Sequence, residues 1–243
     1  MPAPTFLLQQ PARGYRFNVA SLVLAAHVAD RGPADSLLEV GTGVGVVSLL
    51  LAETGLFSRL EGIEIQEVMY SYAIKNRDDN SALLKAPLTL HLGDVRAWRE
   101  RWAPGSFQRV IANPPFFKVE HGHPSPDPVT RMARSEVCVT SEALLEAAAG
   151  LLAPEGVGVF LYPIQRGFEV AAQARSLGLH VRRRAARSFA DHHPFLAIVE
   201  VAQRPFPDEE RERPLTLYDD PHRYQAWLQP WVDRISKPKA REH

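Results

Sequence analysis

From Ser36 to Val201, short apolar runs alternate with stretches whose apolar residues fall at helical spacing, and few folds accept that alternation. Ser36-Leu-Leu-Glu-Val40 reads as a first strand, Leu60 to Ile65 as a second, Leu88 to Leu92 as a third and Phe107-Gln-Arg-Val-Ile111 as a fourth. Between them, Gly45 to Glu53 reads as a helix stopped by Gly55. Glu67 to Arg77 reads as another, with Val68, Tyr72 and Ile74 as apolar members. Helices over Glu142 to Leu152 and Arg166 to Leu177 enclose a buried strand, Gly156 to Leu161. Strands near Leu179 to Ala185 and Pro194 to Val201 follow. Strands separated by helical crossovers pair in parallel and are covered on both faces. The last two lack an intervening helix, which predicts an antiparallel hairpin at one edge.

The flanks are simpler. Asn18 to Ala29 carries Val19, Leu22, Val23, Ala26 and Val28 and reads as a short N-terminal helix ended by Gly32-Pro33. After Arg204 a charge run, Pro207-Asp-Glu-Glu-Arg-Glu-Arg-Pro214, reads as solvated linker. Leu215-Thr-Leu-Tyr218 is strand-like. Tyr224, Trp227, Leu228, Trp231 and Ile235 fall at helical spacing, with Pro230 kinking or restarting that helix. The expected organisation is an extension and helix over 1–34, the main domain over 35–203, and a tail over 204–243 packed on it. With 243 residues, 45% hydrophobic and 23% charged, this is one globular domain with a modest appendage.

Composition excludes several classes. The longest apolar stretches, such as Val46 to Ala52, are too short to span a bilayer, so no membrane role is expected. Met1-Pro-Ala-Pro-Thr-Phe6 lacks a basic region followed by an apolar core, and a single cysteine, Cys138, leaves no internal disulfide; a cytoplasmic location is expected. Cys138, between two valines, reads as a buried inert thiol. Lys and Arg number 28 and Asp and Glu 28, which argues against a non-specific polyanion binder but leaves local patches open. His121, His123, His192 and His193 sit in loops without paired ligands, so no metal site is expected.

Chemistry gathers at the strand ends. Leu37-Leu-Glu-Val-Gly41-Thr42-Gly43-Val-Gly45 lies where the first strand turns into the first crossover helix. Glycines there permit a tight turn and close approach to a ligand. By itself the turn fits a dinucleotide site or a bare structural corner. The spacing is not G-x-G-x-x-G, and Glu39 suits a cation, ammonium or sulfonium, better than a pyrophosphate. Glu64 closes the second strand, where it can take both hydroxyls of a ribose, and Asp94 follows the third, where it can accept from an adenine amino group. Each carboxylate alone could equally be a cap. Three at successive strand ends, on the edge where such sheets bind ligands, form a site. At the fourth end, Ala112-Asn113-Pro114-Pro115-Phe116-Phe117 stops a strand with two prolines that cannot donate to a ladder. It is either a rigid terminator or a fixed set of acceptors beside an aromatic face, suited to a planar amine. Lys118 to Pro128, with Pro124, Pro126 and Pro128, reads as a mobile surface loop.

Glu39-Val-Gly-Thr-Gly-Val-Gly45, Glu64, Asp94 and Asn113-Pro-Pro-Phe116, in this order, resemble the class I S-adenosylmethionine-dependent methyltransferases over residues 35 to 202. The resemblance implies an α/β, Rossmann-like seven-stranded sheet and S-adenosylmethionine as cofactor. It places Glu39, Gly41, Thr42, Gly43, Gly45, Glu64, Ile65, Asp94, Val95 and Asn113 at that cofactor. Asn-Pro-Pro-Phe is similar to the branch that methylates planar nitrogens. Gly14-Tyr-Arg-Phe17, Asn113-Pro-Pro-Phe-Phe117, Ala133-Arg-Ser-Glu136 and Leu217-Tyr218 look like the bacterial tRNA1(Val) adenine-N6 methyltransferases, which modify the adenine 3′ of the anticodon. Two departures stand out: Ala20 where relatives often carry an acid, and Ser135 where they often carry His.

The resemblance implies a mechanism and a partner. The Asn113 oxygen and the Pro114 carbonyl accept the two amino N–H bonds, Pro115 stiffens the turn and Phe116 stacks on the base. tRNA is the expected partner, with Phe117, Arg131, Arg134, Arg182 and Arg184 as RNA contacts; strand alternation puts the last two on one face. Rivals are guanine-N2 methylation of rRNA, which often shows His at position 117, and N5-methylation of a protein glutamine, which usually shows Tyr after the prolines. An NAD-dependent oxidoreductase is opposed by Glu39 and the Asn-Pro-Pro-Phe set. A catalytically inactive RNA-binding scaffold is opposed by the intact carboxylates.

Overall fold

The computed structural model describes residues 5–11, 17–114, 139–207 and 214–235. Its elements run α1 (Val19–Asp30), β1 (Ala34–Val40), α2 (Val46–Thr54), β2 (Phe57–Glu64), α3 (Glu67–Asp79), β3 (Leu88–Leu92) and β4 (Phe107–Ala112). A helix over Ser141–Leu151, β5 (Leu152–Pro163), a helix over Ile164–Ser176, β6 (His180–Arg187), β7 (Leu196–Ala202) and β8 (Leu215–Thr216) follow. The sheet order is β3-β2-β1-β4-β5-β7-β6-β8. Pairing is parallel from β3 through β5, and β7 is antiparallel to both β5 and β6. The expected mostly parallel sheet with a closing hairpin is therefore present. The eighth strand is two residues of the tail laid parallel to β6. Strand order reverses between β1 and β4, and the crevice beyond their carboxyl ends is where open α/β sheets bind ligands.

Side-chain alternation splits the core in two. Leu37, Leu60, Leu90, Ile111, Val159 and Ile198 face α1, α2, α3 and the tail. Leu38, Ile63, Val110, Phe160 and Val199 face the helices Ser141–Leu151 and Ile164–Ser176. α1 is capped by Asn18, whose side chain accepts from the Ala20 N–H, and its apolar residues are buried all round. No helix among the described residues is long and apolar enough to cross a membrane.

Three expectations need correction. The inward stripe of α3 is Met69, Ala73 and Asn76, whereas Val68 is 50% exposed. β5 begins at Leu152, directly where its preceding helix ends, and not at Gly156. The tail forms no helix from Tyr224 to Ile235: Arg223–Tyr224 pairs with Tyr218–Asp220 in a small antiparallel ladder. Only Gln229–Asp233 is helical. Pro230 begins that helix instead of kinking it, because the first turn needs no N–H from the residue it occupies. Leu217, Leu228 and Trp231 are buried in the first core, so the tail packs on the sheet. Phe6 donates its N–H to the Arg234 carbonyl at 2.7 Å and bridges Ile235, joining the two ends of the described chain.

Candidate active site

The turn after β1 is held at nearly every peptide. Gly41 donates to the Ile63 carbonyl at 2.8 Å, Gly43 to Glu64 Oε2 at 2.8 Å and Gly45 to the Thr42 carbonyl at 2.9 Å. Gly45 has φ of 87°, in the left-handed region where a side chain is strained, and a Cβ there would touch Ala73 of α3 at 3.4 Å. Above Gly41 the space is open: a Cβ would meet nothing within 4 Å.

Glu39 is 2% exposed and caps α2 from inside the fold, accepting from the Ser48 N–H at 3.0 Å and from the Ser48 hydroxyl. Burial pushes its carboxyl up to about 8, against the lowering effect of the Ser48 bonds. Such a group stays neutral up to about pH 8, and a cation beside it favours its ionised form. Glu64, 4% exposed, accepts from Gly43 through one oxygen and from the Gln66 N–H at 2.9 Å through the other. It thereby ties the turn after β1 to the turn after β2. Burial raises its pKa, opposed by the N–H groups of Gln66, Gly43 and Ile65.

Asp94 is committed differently. It accepts the Arg96 N–H at 2.9 Å and takes the Arg96 guanidinium on both oxygens, and those bonds hold its carboxyl below the ordinary range. It opens on a cleft of about 440 Å³ with Ile63, Ala97, Trp98 and Trp102, separate from the pocket at the glycine turn. Ile65 is half-buried beside Glu64, and the Val95 side chain lies in the second core at 2% exposure.

The pocket at the turn has a volume of about 40 Å³ and brings together Glu39, Gly41, Thr42, Gly43, Met69 and Asn113, with Phe17 and Ser21 above. Asn113 reaches it because β4 pairs in register with β1, Val40 opposite Ala112. Its Nδ2 donates to Ser21 Oγ at 3.4 Å. Its Oδ1 is buried and has no partner among the described residues. A buried acceptor without a donor carries a desolvation cost. Pro114 is half-buried; Pro115, Phe116, Phe117, Arg131 and Arg134 lie outside the described residues, as do Cys138, His121 and His123.

Arg182 and Arg184 do share a face, opposite Glu200 and Ile198 of β7. Arg182, however, donates through Nε to the buried Glu200 at 2.6 Å, lies over the Phe206 ring, and shares that carboxylate with His27 and Arg31. Among the described residues no group of three His, Cys, Asp or Glu is placed to hold a metal ion. Sequence reading missed Ser48, Ser21 and Arg96. Of these, Arg96 was signalled by its place two residues after an acid, and Ser48 by its place in the first turn of α2, above the glycines.

A mostly parallel sheet with an antiparallel β7, a glycine turn after β1 and carboxylates closing the next strands define a Rossmann-like methyltransferase fold. A predicted O-methyltransferase from Agrobacterium tumefaciens shares it, with a TM-score of 0.65 at 17% identity over 89% of this chain and 97% of that one. Residues 14–157 match the profile of the methyltransferase small domain, and the chain belongs to that family. It is an S-adenosylmethionine-dependent methyltransferase. A Tolumonas auensis protein named tRNA1(Val) (adenine(37)-N6)-methyltransferase is 28% identical over 221 residues, 90% of this chain and 89% of its own. A Citrobacter koseri protein of the same name is 33% identical over 151 residues, 61% of this chain and 59% of its own.

Proposed function

We propose that this protein methylates the exocyclic N6 of an adenine in the anticodon loop of a tRNA, with S-adenosylmethionine as donor. One observation carries the chemistry: the buried Oδ1 of Asn113, without a partner among the described residues, in the same pocket as Glu39 and the glycine turn. The resemblance to the Tolumonas auensis protein of that name over nine-tenths of the chain supports the substrate.

The residues present fit the cofactor: an open surface over Gly41, a buried carboxyl at Glu39 suited to a cation, and Glu64 behind the turn. When bound, the cofactor supplies an electrophilic methyl on a sulfonium. Glu39 would balance its positive end, the Glu64 carboxylate would take the ribose hydroxyls, and Asp94 would accept from its adenine once Arg96 swings aside. An adenine amino lone pair is delocalised into the ring and is a weak nucleophile. Asn113 Oδ1 and the Pro114 carbonyl would accept its two N–H bonds and gather density on nitrogen as it pyramidalises, an interaction strongest in the transition state. Ser21 Oγ accepts from the amide nitrogen of Asn113 at 3.4 Å, which supports the oxygen as the atom that would face substrate. Phe116 would stack on the base, a contact of about 1–3 kcal/mol. Positioning is the main contribution, and the proton leaves after transfer without an obligatory general base. The target base must be unstacked, at lower cost in a loop than in a duplex.

The test is direct. The protein is incubated with labelled S-adenosylmethionine and total tRNA from a strain lacking the enzyme, and the digested nucleosides are identified. N6-methyladenosine is expected; label only in N2-methylguanosine or in protein overturns the reading.

A further inference from the structure

The buried stripe of α3 holds two amides where an apolar residue is the rule. Met69, Ala73, Asn76 and Asn80 point inward, and the asparagines are 0% and 3% exposed. Buried amides are tolerated only when their donors and acceptors are matched. Here they match the extended N-terminal segment. Asn80 Oδ1 accepts the Leu7 N–H at 2.8 Å and its Nδ2 donates to the Leu7 carbonyl at 2.9 Å. One helical turn earlier, Asn76 Oδ1 accepts the Gln9 N–H at 2.7 Å and its Nδ2 donates to the Gln9 carbonyl at 2.8 Å. Residues 7 and 9 project the same pair of backbone groups, as alternate residues of a strand do, and the i, i+4 spacing of α3 meets them. The helix thus offers the segment a ladder made of side chains.

Asn76 does one thing that Asn80 does not. Its second Nδ2 hydrogen donates to the Val44 carbonyl at 2.9 Å. Val44 lies between Gly43 and Gly45, so one amide, with both its donor hydrogens used, fixes a peptide plane of the glycine turn and the N-terminal segment together.

We propose that Asn76 is a positioning residue for the cofactor: it holds the glycine turn in its ligand-ready shape and couples that shape to the docking of Gln9. The proposal rests on the reading of this turn as the cofactor site. Asn76 does not touch the reacting atoms, so it governs occupancy of the site and not the transfer step. Asn80 clamps the same segment without reaching the turn and is the natural control.

Three variants are compared with the wild type for S-adenosylmethionine affinity by calorimetry, for kcat on tRNA at saturating cofactor, and for stability in urea. Asn76→Ala removes both links. Gln9→Pro deletes the segment's N–H to Asn76, and with it the exposed Gln9 Nε2 bond to Asp79, while leaving Asn76 in place. Asn80→Ala removes the neighbouring clamp on Leu7, and with it the Asn80 Nδ2 bond to the Asn76 carbonyl, but leaves the Val44 link in place. Asn76→Ala is expected to weaken binding about tenfold and Gln9→Pro about threefold, from the hydrogen bonds each removes, with kcat unchanged. Asn80→Ala is expected to lose stability with little change in affinity. If Asn76→Ala proves too unstable to measure, Gln9→Pro alone decides. Unchanged affinity in Asn76→Ala and Gln9→Pro, or equal losses in Asn76→Ala and Asn80→Ala, overturns the proposal. A wild type that binds no S-adenosylmethionine instead overturns the assignment of the turn itself.

Discussion

Replacing Glu39 by Gln tests the most unusual group in the pocket. The carboxyl is 2% exposed and its pKa stands near 8, against 4.5 for an ordinary glutamate. A folded-state pKa raised above the unfolded one gives stability that is complete below the unfolded value and lost as pH rises toward the folded value. The unfolded chain begins to release this proton near 4.5, whereas the folded chain holds it until about 8. Within that window the wild type loses about 1.4 kcal/mol per pH unit from this group, or about 2.5 kcal/mol between roughly pH 5.5 and 7.5. Gln keeps an oxygen for the Ser48 N–H and does not titrate. The stability of Glu39→Gln minus that of the wild type should therefore climb by about 2.5 kcal/mol over that range, because groups common to both cancel. Urea unfolding of the ligand-free proteins at several pH values measures it. Saturating cofactor should flatten the slope, since a cation beside the carboxylate keeps it ionised. A difference that stays level with pH would show that Glu39 is ionised in the free protein and would refute the reasoning.

Other outcomes follow from the same geometry. Asn113→Ala should retain cofactor binding and lose methyl transfer by about a hundredfold or more, as removal of a transition-state acceptor does; single-turnover rates at saturating cofactor check it. Arg96→Ala frees Asp94 from a partner that is 59% exposed, so cofactor affinity should be unchanged or rise up to about fivefold, the value of a surface pair. Calorimetry would sink that idea if affinity fell. Glu200→Gln leaves Arg31 and Arg182 around a neutral amide and should cost about 3–5 kcal/mol near neutral pH. Burial would raise the Glu200 pKa, but His27, Arg31 and Arg182 overcome it and hold it near 2. The wild-type advantage should therefore persist above pH 4.5 and fade as pH falls toward 2, in acid-unfolding curves of the two proteins.

Periodicity made most of the architecture legible, because strands such as Leu196–Ala202 and helices such as α2 obey one burial rule along nearly their whole length. It was incomplete at α3, where Asn76 and the C-cap Asn80 are buried on the inward side and Val68 is exposed, although Tyr72 and Ile74 do pack against the core. It failed in the tail, where Tyr224 and Trp231 satisfy helical spacing although a ladder and a single turn of helix place them. The candidate site was legible as residue types at strand ends. What those residues do to one another was not. That Glu39 caps α2, that Glu64 braces the glycine turn, and that Arg96 covers Asp94 depend on side-chain directions that sequence order does not contain.

The bond between Phe6 and Arg234 has a consequence for synthesis. Phe6 is 1% exposed, and its N–H finds its acceptor in a residue translated after almost everything else described here. A ribosome delivers the sheet from β3 to β7 well before that acceptor emerges. Phe6 can therefore meet its acceptor only after Arg234 has left the exit tunnel. A nascent chain stopped short of Arg234 would already hold residues 7 and 9 against Asn80 and Asn76, with the Phe6 N–H still lacking its partner.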